Sequence, residues 1–186
     1  MPNEIKNLQK TEISFLNPYS AVDEFGVGEG MSVADFGSGA GHFVLSLANR
    51  VGRDGRVYAI DMRQSVLEVL EGYIKLKGLV QIKTIKGNVE QVNGSVLHEG
   101  SQDVVLCSNI LHQVDHPFNV LKEAHRVLKG SGRLVVIDWI KNAKLGPANR
   151  ISPKKIEELA GEAGFKKEKE FQTGDQHYGL IFKKKL

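Results

Sequence analysis

Between Val33 and Phe43 the chain reads VADFGSGAGHF, in which Asp35 is followed by glycines at positions 37, 39 and 41. Residues without side chains let a backbone approach a ligand closely, and where such a loop opens a helix the free amides favour an anionic group. Phosphate and carboxylate both qualify. A dinucleotide site expects G-x-G-x-x-G, but counting from Gly37 gives Gly39 and then His42 in the third glycine's place, so the spacing is G-x-G-x-G. Asp35 would repel a pyrophosphate, whereas an amino acid group, carrying both charges, tolerates it. Asp61, at the end of the next apolar run, can accept hydrogen bonds from two ribose hydroxyls. Loop and acid together describe a site for a nucleoside bearing an amino acid, and S-adenosylmethionine is that molecule.

A second group of residues could act on whatever that molecule meets. His112 follows one apolar run, Asp138 with Trp139 end another, and His177 with Tyr178 border the tip of a candidate hairpin. Each also has a plainer reading: His112 as a lining residue, Trp139 as wall packing rather than a stacking platform, and His177 and Tyr178 as hairpin structure. His112 and His116 are four apart with Asp115 between them, but Pro117 makes this a loop entering a helix, so no metal site is expected and Asp115 reads as a cap. Cys107 has no flanking charge to activate it and reads as a small buried residue. Tyr73 and Lys77 satisfy Y-x-x-x-K, yet they lie too early in the chain for a dehydrogenase pair, and Tyr73 continues the stripe of Val66, Val69 and Leu70, which reads as core. His98 and His125 read as surface residues.

The elements that must hold these groups follow from the apolar spacing. After a polar arm over residues 1–16, Asn17-Pro18 opens a short helix through Phe25. MSVADF, RVYAI, IKTIKG, DVVLCS and RLVVID read as five strands, the first two of them buried. HFVLSLANRV, SVLEVLEGYIKLK, PFNVLKEAHRVL and PKKIEELAGEA read as helices, with Lys129-Gly130 closing the third of these four. FKKEKEFQ and HYGLIFKKK, flanking Thr173 to Gln176, form a hairpin candidate. Alternating strands and helices imply an α/β fold, a doubly wound parallel sheet covered on both faces, with ligands at the strands' carboxyl ends. The loop from Ile140 to Ile151 is the expected lid or acceptor wall, in which Lys141 and Arg150 could meet an anionic acceptor.

Composition narrows the setting. The 186 residues carry a net charge of +3 with the basic residues scattered, apart from Lys183 to Lys185, so no nucleic-acid footprint is expected. No apolar run approaches the roughly 20 residues of a membrane span. The single cysteine agrees with a reducing, cytoplasmic setting, in which Asn93-Gly94-Ser95 is a chance sequon. No linker or repeat divides the chain, so one domain over 1–186 is expected, with the sheet and helices in 17–186.

Five blocks carry a further signal: VADFGSGAGHF, VYAIDM, KGNVEQ, SQDVVLCSNILHQVDHP and AHRVLKGSGRLVVIDW. In this order and approximate spacing the chain resembles the class I S-adenosylmethionine-dependent methyltransferases, in particular the group that includes the ubiquinone and menaquinone C-methyltransferases. The resemblance implies a seven-stranded, three-layered sheet whose last strand is antiparallel. It implies that Asp35, Gly37, Gly39 and Gly41 hold the methionine portion, Asp61 the ribose, and Met62 the adenine face. Asn88 stands where the family commonly has an aspartate, its amide oxygen then accepting from the adenine amino group, with Val89 supplying a backbone amide. Asn109 lines the gap between donor and acceptor. The activity implied is in-line methyl transfer, which requires position, dryness and, for an acceptor with a labile proton, a base drawn from His112, Asp138, His177 or Tyr178. A small-molecule acceptor is expected, with a protein acceptor as an alternative. A non-catalytic S-adenosylmethionine-binding protein and a nicotinamide oxidoreductase are the competing readings.

Overall fold

The computed structural model describes residues 15–185; most of the expected polar arm, residues 1–14, lies outside them. In chain order the elements are α1 (Pro18–Val22), β1 (Ser32–Phe36), α2 (Val44–Val51), β2 (Arg56–Asp61), α3 (Gln64–Lys77), β3 (Ile82–Lys86), β4 (Gln102–Ser108), α4 (Pro117–Val127), β5 (Leu128–Trp139), α5 (Pro153–Glu162), β6 (Phe165–Thr173) and β7 (His177–Lys184). The Asn17 side chain accepts from the Tyr19 N–H at 3.0 Å, and Ser152 likewise caps α5 at Lys155, 3.2 Å, each with proline in the first turn. Both helix starts lie where expected, although α1 stops at Val22 rather than Phe25.

The strands form one sheet in the order β3-β2-β1-β4-β5-β7-β6. The first five are parallel, and β7 runs antiparallel between β5 and β6. Because successive side chains of a strand point to opposite faces, β1 sends Ala34 and Phe36 toward α4 and α5, and Val33 toward α2. Burial on both faces accounts for the near-continuous apolar runs read from the sequence. Reversal of the strand order beside β1 and β4 opens a crevice at the carboxyl ends of β1, β2 and β4. The amino end of the antiparallel β7 comes to the same edge, where His177 pairs with Trp139.

Four features depart from a regular strand–helix alternation or from the residue readings above. First, the crossover between β3 and β4, where no helical run is read, contains turns: Asn93 and Val96 take positive φ, +59° and +61°. This segment is organised instead by the buried Glu123 of α4, which accepts the N–H groups of Asn93 and Ser95 at 3.2 and 3.1 Å. Arg126 pairs with both carboxylate oxygens of Glu123, at 2.7 and 2.8 Å. Burial would raise the Glu123 pKa, but the bonds from Arg126 and Ser95 outweigh it and hold the carboxyl below its usual range. Glu123→Ala should therefore lower unfolding stability by about 3 kcal/mol in a urea titration, because two amides and a guanidinium lose their acceptor together.

Secondly, α4 passes directly into β5 at Leu128, so Lys129 and Gly130 belong to the strand rather than to a helix stop. A register shift against β4 between Gln102 and Val104 absorbs the extra residues. Thirdly, Tyr73 is 40% exposed and Val69 65%. The buried face of α3 is Leu67 and Leu70, with the partly buried Ile74 beyond, so of the stripe taken as core only Leu70 is buried and Val66 half-buried, while Val69 and Tyr73 face outward. Lastly, His125 is half-buried with its ring edge-on to Phe165.

Candidate functional site

The loop after β1 turns on glycines in the left-handed region. Gly37, at φ +74°, has Ile110 so close that an added Cβ would stand 2.6 Å from its Cδ1. At Gly39, φ +53°, such a Cβ would meet nothing nearer than Arg63 Nη2 at 3.9 Å, so the loop faces open space there. Beside it lies a cavity of about 380 Å³. Of the residues expected to hold a cofactor, Gly37, Asp61, Met62, Asn88, Val89 and Asn109 line this cavity. Asp35, at the end of β1, and Gly39 and Gly41, in the loop after it, are not on its lining. The arrangement fits the nucleoside end of S-adenosylmethionine, with the bare loop and the acid side by side on the cavity wall.

Asp61 accepts from the Gly39 N–H at 3.0 Å and the Arg63 N–H at 2.9 Å. The Arg63 guanidinium lies across the same carboxylate, with Nε 3.1 Å from Oδ1 and Nη2 3.2 Å from Oδ2. Burial alone would raise the Asp61 pKa, yet these bonds outweigh it and hold the carboxyl below its ordinary range. Asp61 is thus a fixed anion. Asp35 is the reverse case: burial first, then the neighbouring Asp61 charge, push its pKa up to about 7. The Asn88 oxygen accepts from the Glu90 N–H at 3.0 Å, which fixes the amide's orientation and keeps one acceptor position in reserve for an adenine amino group.

The residues expected at the acceptor side divide. His112 and Asp138 form a buried pair, Nδ1 to Oδ1 2.8 Å. The same Oδ1 accepts the Trp139 N–H at 2.8 Å, so an ionised Asp138 accepts here, and the tautomer of a neutral His112 that matches it donates from Nδ1 and keeps the lone pair on Nε2. Burial raises the Asp138 pKa, against the pull of Trp139 and His112. Tyr178 sits elsewhere in function: its hydroxyl donates to the Ile151 carbonyl at 2.8 Å, and burial pushes its pKa up, so it anchors a loop. His177 is buried against Trp139, ring centroids 4.1 Å apart. Burial, with His42 and His112 nearby, lowers its pKa to about 4, so it is neutral near pH 7.

Unpartnered atoms mark the same place. Among the described residues, the buried side-chain atoms without a hydrogen-bond partner are Ser38 Oγ, Asn109 Oδ1, Asp138 Oδ2 and both ring nitrogens of His177. All four residues stand at the one sheet edge where β1, β4 and β5 end and β7 begins. Buried polar groups are rarely left unpaired unless something binds there. Asn109 also adopts a left-handed φ of +54°, a conformation that recurs at functional sites.

The wall over this edge is the loop from Ile140 to Ile151, and it is held down rather than poised to move. Arg150, expected as a partner for an anionic acceptor, spends its guanidinium on the carbonyls of Ile140, Lys141, Ala143, Leu145 and Pro147. Gln176 accepts from the Lys144 and Leu145 N–H groups, and Asn149 donates to the His112 carbonyl at 2.9 Å. Trp139 is packed between His177 and Gly146 of this loop, as a wall. Asp115 caps nothing: α4 begins at Pro117 with His116 as its N-cap residue, whose N–H is satisfied by Glu90 at 2.7 Å. A second cleft of about 490 Å³ lies under this loop, with His112, Lys141 and Lys155 on its lining; Val114 borders both hollows. No carboxylate lines it among the described residues.

Arg63, Ser38, Gln176 and Asn149 were not singled out from the sequence. For Arg63 a signal existed, an arginine two residues beyond a strand-end aspartate. The others are ordinary polar residues until the fold brings them to the edge.

Comparison with known proteins agrees with this geometry. A family model described as a methyltransferase domain matches residues 28–180. The chain is 34% identical over 112 residues to the demethylmenaquinone methyltransferase of Geobacillus stearothermophilus, covering 60% of this chain and 47% of that protein. It is 30% identical over 119 residues to human arsenite methyltransferase, covering 61% and 32%. The chain thus spans about half the length, or less, of these curated relatives. Among solved structures, an S-adenosylmethionine-dependent methyltransferase from Aquifex aeolicus superposes with a TM-score of 0.76 at 25% identity, covering 90% of this chain and 89% of that one. The [4+2]-cyclase SpnF superposes with a TM-score of 0.77 at 16% identity, covering 90% and 80%, a likeness of fold alone. On the extent of the family match, the chain belongs to the class I S-adenosylmethionine-dependent methyltransferases, within their type 11 group.

Proposed function

We propose that the chain transfers a methyl group from S-adenosylmethionine to a small acceptor with an ionisable hydroxyl, of the phenol, enol or quinol kind. The observation that carries this reading is the buried His112–Asp138 pair beside the unpartnered polar edge. S-adenosylmethionine, when bound, supplies a methyl group already activated on a sulfonium. Asp61 would hold the ribose hydroxyls and Asp35 would face the ammonium of the methionine portion. Asn109 and Ser38 would take up the polar atoms between donor and acceptor.

His112 presents Nε2 to accept the acceptor's proton, while Asp138 fixes the tautomer through Nδ1 and offsets the positive charge that forms on the ring. Water is kept away by the tied-down loop over the edge. Two lysines and no carboxylate on the cleft lining disfavour a cationic acceptor such as an amine. The named relatives include enzymes for a quinone precursor and for arsenite. Arsenic would need several thiolates, whereas Cys107 is buried and its thiol pushed well up by that burial, so the quinol-like class is favoured. The lone cysteine also suits a reducing, cytoplasmic setting, and no helix among the described residues is long and apolar enough to cross a membrane. The whole chain is read as one catalytic unit.

His112→Ala should lower kcat roughly 100-fold or more while the dissociation constant of S-adenosylmethionine changes less than about twofold. Asp138→Asn should fall in the same direction, because the wrong tautomer is then favoured. Single-turnover rates alongside equilibrium cofactor binding separate the two effects. Full turnover by His112→Ala would remove the base from this reading.

A further inference from the structure

Helix α3 carries two apolar faces, and the sheet uses one of them. Leu67 and Leu70 are buried. On the other side Val69 is 65% exposed, Tyr73 40% and Leu76 79%; Met62 just before the helix is 61% exposed and Val80 just after it 75%. This is a stripe along the whole helix rather than the scattered apolar exposure that any surface shows. Gly72 lies in the middle of α3, where glycine costs about 1 kcal/mol relative to alanine. Its φ is not positive, and a Cβ there would meet nothing within 4 Å, so no feature of the described chain calls for a glycine. Glu68 and Lys75 flank the stripe on one side. Both are exposed, and neither has an ion-pair partner among the described residues. Seven residues apart on a helix, they are separated by about 10 Å and cannot reach each other.

We propose that α3 is the contact with a second copy of this chain, the two helices crossing antiparallel about a two-fold axis at Gly72. Position by position the stripe is self-complementary about that residue. Val69 faces Leu76 of the second copy, the Met62 end faces the Val80 end, and Glu68 faces Lys75, each pair centred within about one residue of Gly72. A parallel crossing would put this flank of the two helices on opposite sides of the seam and leave Glu68 and Lys75 unpaired. The missing Cβ at the crossing point lets the two backbones approach. A two-fold contact needs one patch that matches itself, which a surface for an unrelated partner does not. Since Met62 also lines the cofactor cavity, the second copy would cover one rim of it. A single helix pair falls below the roughly 1,200 Å² of a standard interface, so the association is weak and depends on concentration.

The test is sedimentation equilibrium of the full chain from about 5 to about 500 µM. The mean mass should rise from 20.5 kDa toward twice that value. Leu76→Glu and Gly72→Leu, both at exposed positions, should each weaken association at least tenfold with an unchanged circular dichroism spectrum. Glu68→Lys alone should weaken it, and Glu68→Lys with Lys75→Glu should restore it, as only the antiparallel crossing requires. A monomer across the whole range overturns the proposal, whatever else covers the stripe. So does a dimer that Leu76→Glu leaves intact, or one that the double charge exchange fails to restore.

Discussion

Replacing Asp61 by alanine is expected to weaken S-adenosylmethionine binding roughly 10- to 100-fold, measured by calorimetry at pH 7.5. The magnitude is that of two charge-assisted hydrogen bonds to ribose hydroxyls, about 1.5–3 kcal/mol together after exchange with water. The carboxylate suits that task because it is already ionised and oriented by the Gly39 and Arg63 amides. Arg63 currently occupies the outer side of the same carboxylate, so a ribose must share it or displace the guanidinium. Since the guanidinium is largely exposed, moving it costs little. Asp61→Asn should lose less than Asp61→Ala, since it keeps one acceptor. Removing the Asp61 charge should also let the Asp35 pKa fall, because Asp61 is one of the two causes that raise it. Unchanged affinity in Asp61→Ala would show that the end of β2 does not hold the ribose.

The second large effect concerns Asp35, where function and stability oppose each other. Its folded pKa of about 7 stands above the unfolded value of 3.8, so between these values the folded state holds a proton that the unfolded state has released. The stability this group contributes is therefore fully present below about pH 4 and is lost as pH rises through about 7. Three pKa units correspond to about 4 kcal/mol. Asp35→Asn, which cannot ionise, should be more stable than the parent by a few kcal/mol at pH 8, and the two should converge as pH falls toward 4. The same substitution should weaken S-adenosylmethionine binding if, as proposed, the ionised carboxylate faces the ammonium. In the parent, affinity should fall as pH drops below about 7, and binding near pH 6.5 should release a proton, seen as a dependence of the calorimetric heat on buffer. Asp35→Asn should show neither. A variant no more stable than its parent at pH 8 would place Asp35 in a wetter setting than its burial indicates.

These two acids were legible in the sequence because residue type and place sufficed: an aspartate two positions before a glycine loop, and another closing an apolar run. The places of the strands along the chain were legible too, since β1, β2, β4 and β5 are largely buried on both faces and read as apolar stretches. What escaped had no such periodic mark. Glu123 sits among Lys122, His125 and Arg126 and reads as one more solvated helix charge, until the β3–β4 crossover folds against it. Arg150 looked like a free cation because its five carbonyl partners come from a loop whose path the sequence does not reveal. On α3 the periodicity allowed two apolar faces, one built on Leu67 and Leu70 and one on Val69 and Tyr73, and only packing against the sheet decided which is buried. Tyr178 and His177 are neighbours on an alternating strand, so one side chain faces Ile151 and the other Trp139, a division that the bare sequence left open.

The same contrast separates donor from acceptor. The donor's site is built from loops at the ends of adjacent parallel strands, where local residues determine the geometry. The proposed acceptor side is assembled from β4, β5, β7 and the loop after β5, elements distant in sequence that meet only in the fold. His112 and Asp138 are 26 residues apart and come within 2.8 Å because β4 and β5 are parallel neighbours.

The account rests most heavily on the identity of the ligand at the glycine loop, and a thermal-unfolding comparison with S-adenosylmethionine, its demethylated product and NAD tests it directly. A ligand at about 100 times its dissociation constant adds about 2.7 kcal/mol, which for a chain of this size raises the midpoint by roughly 5–10 °C. S-adenosylmethionine and its product should each do so, and NAD should not. No shift with either sulfur ligand, or a larger one with NAD, would contradict the account.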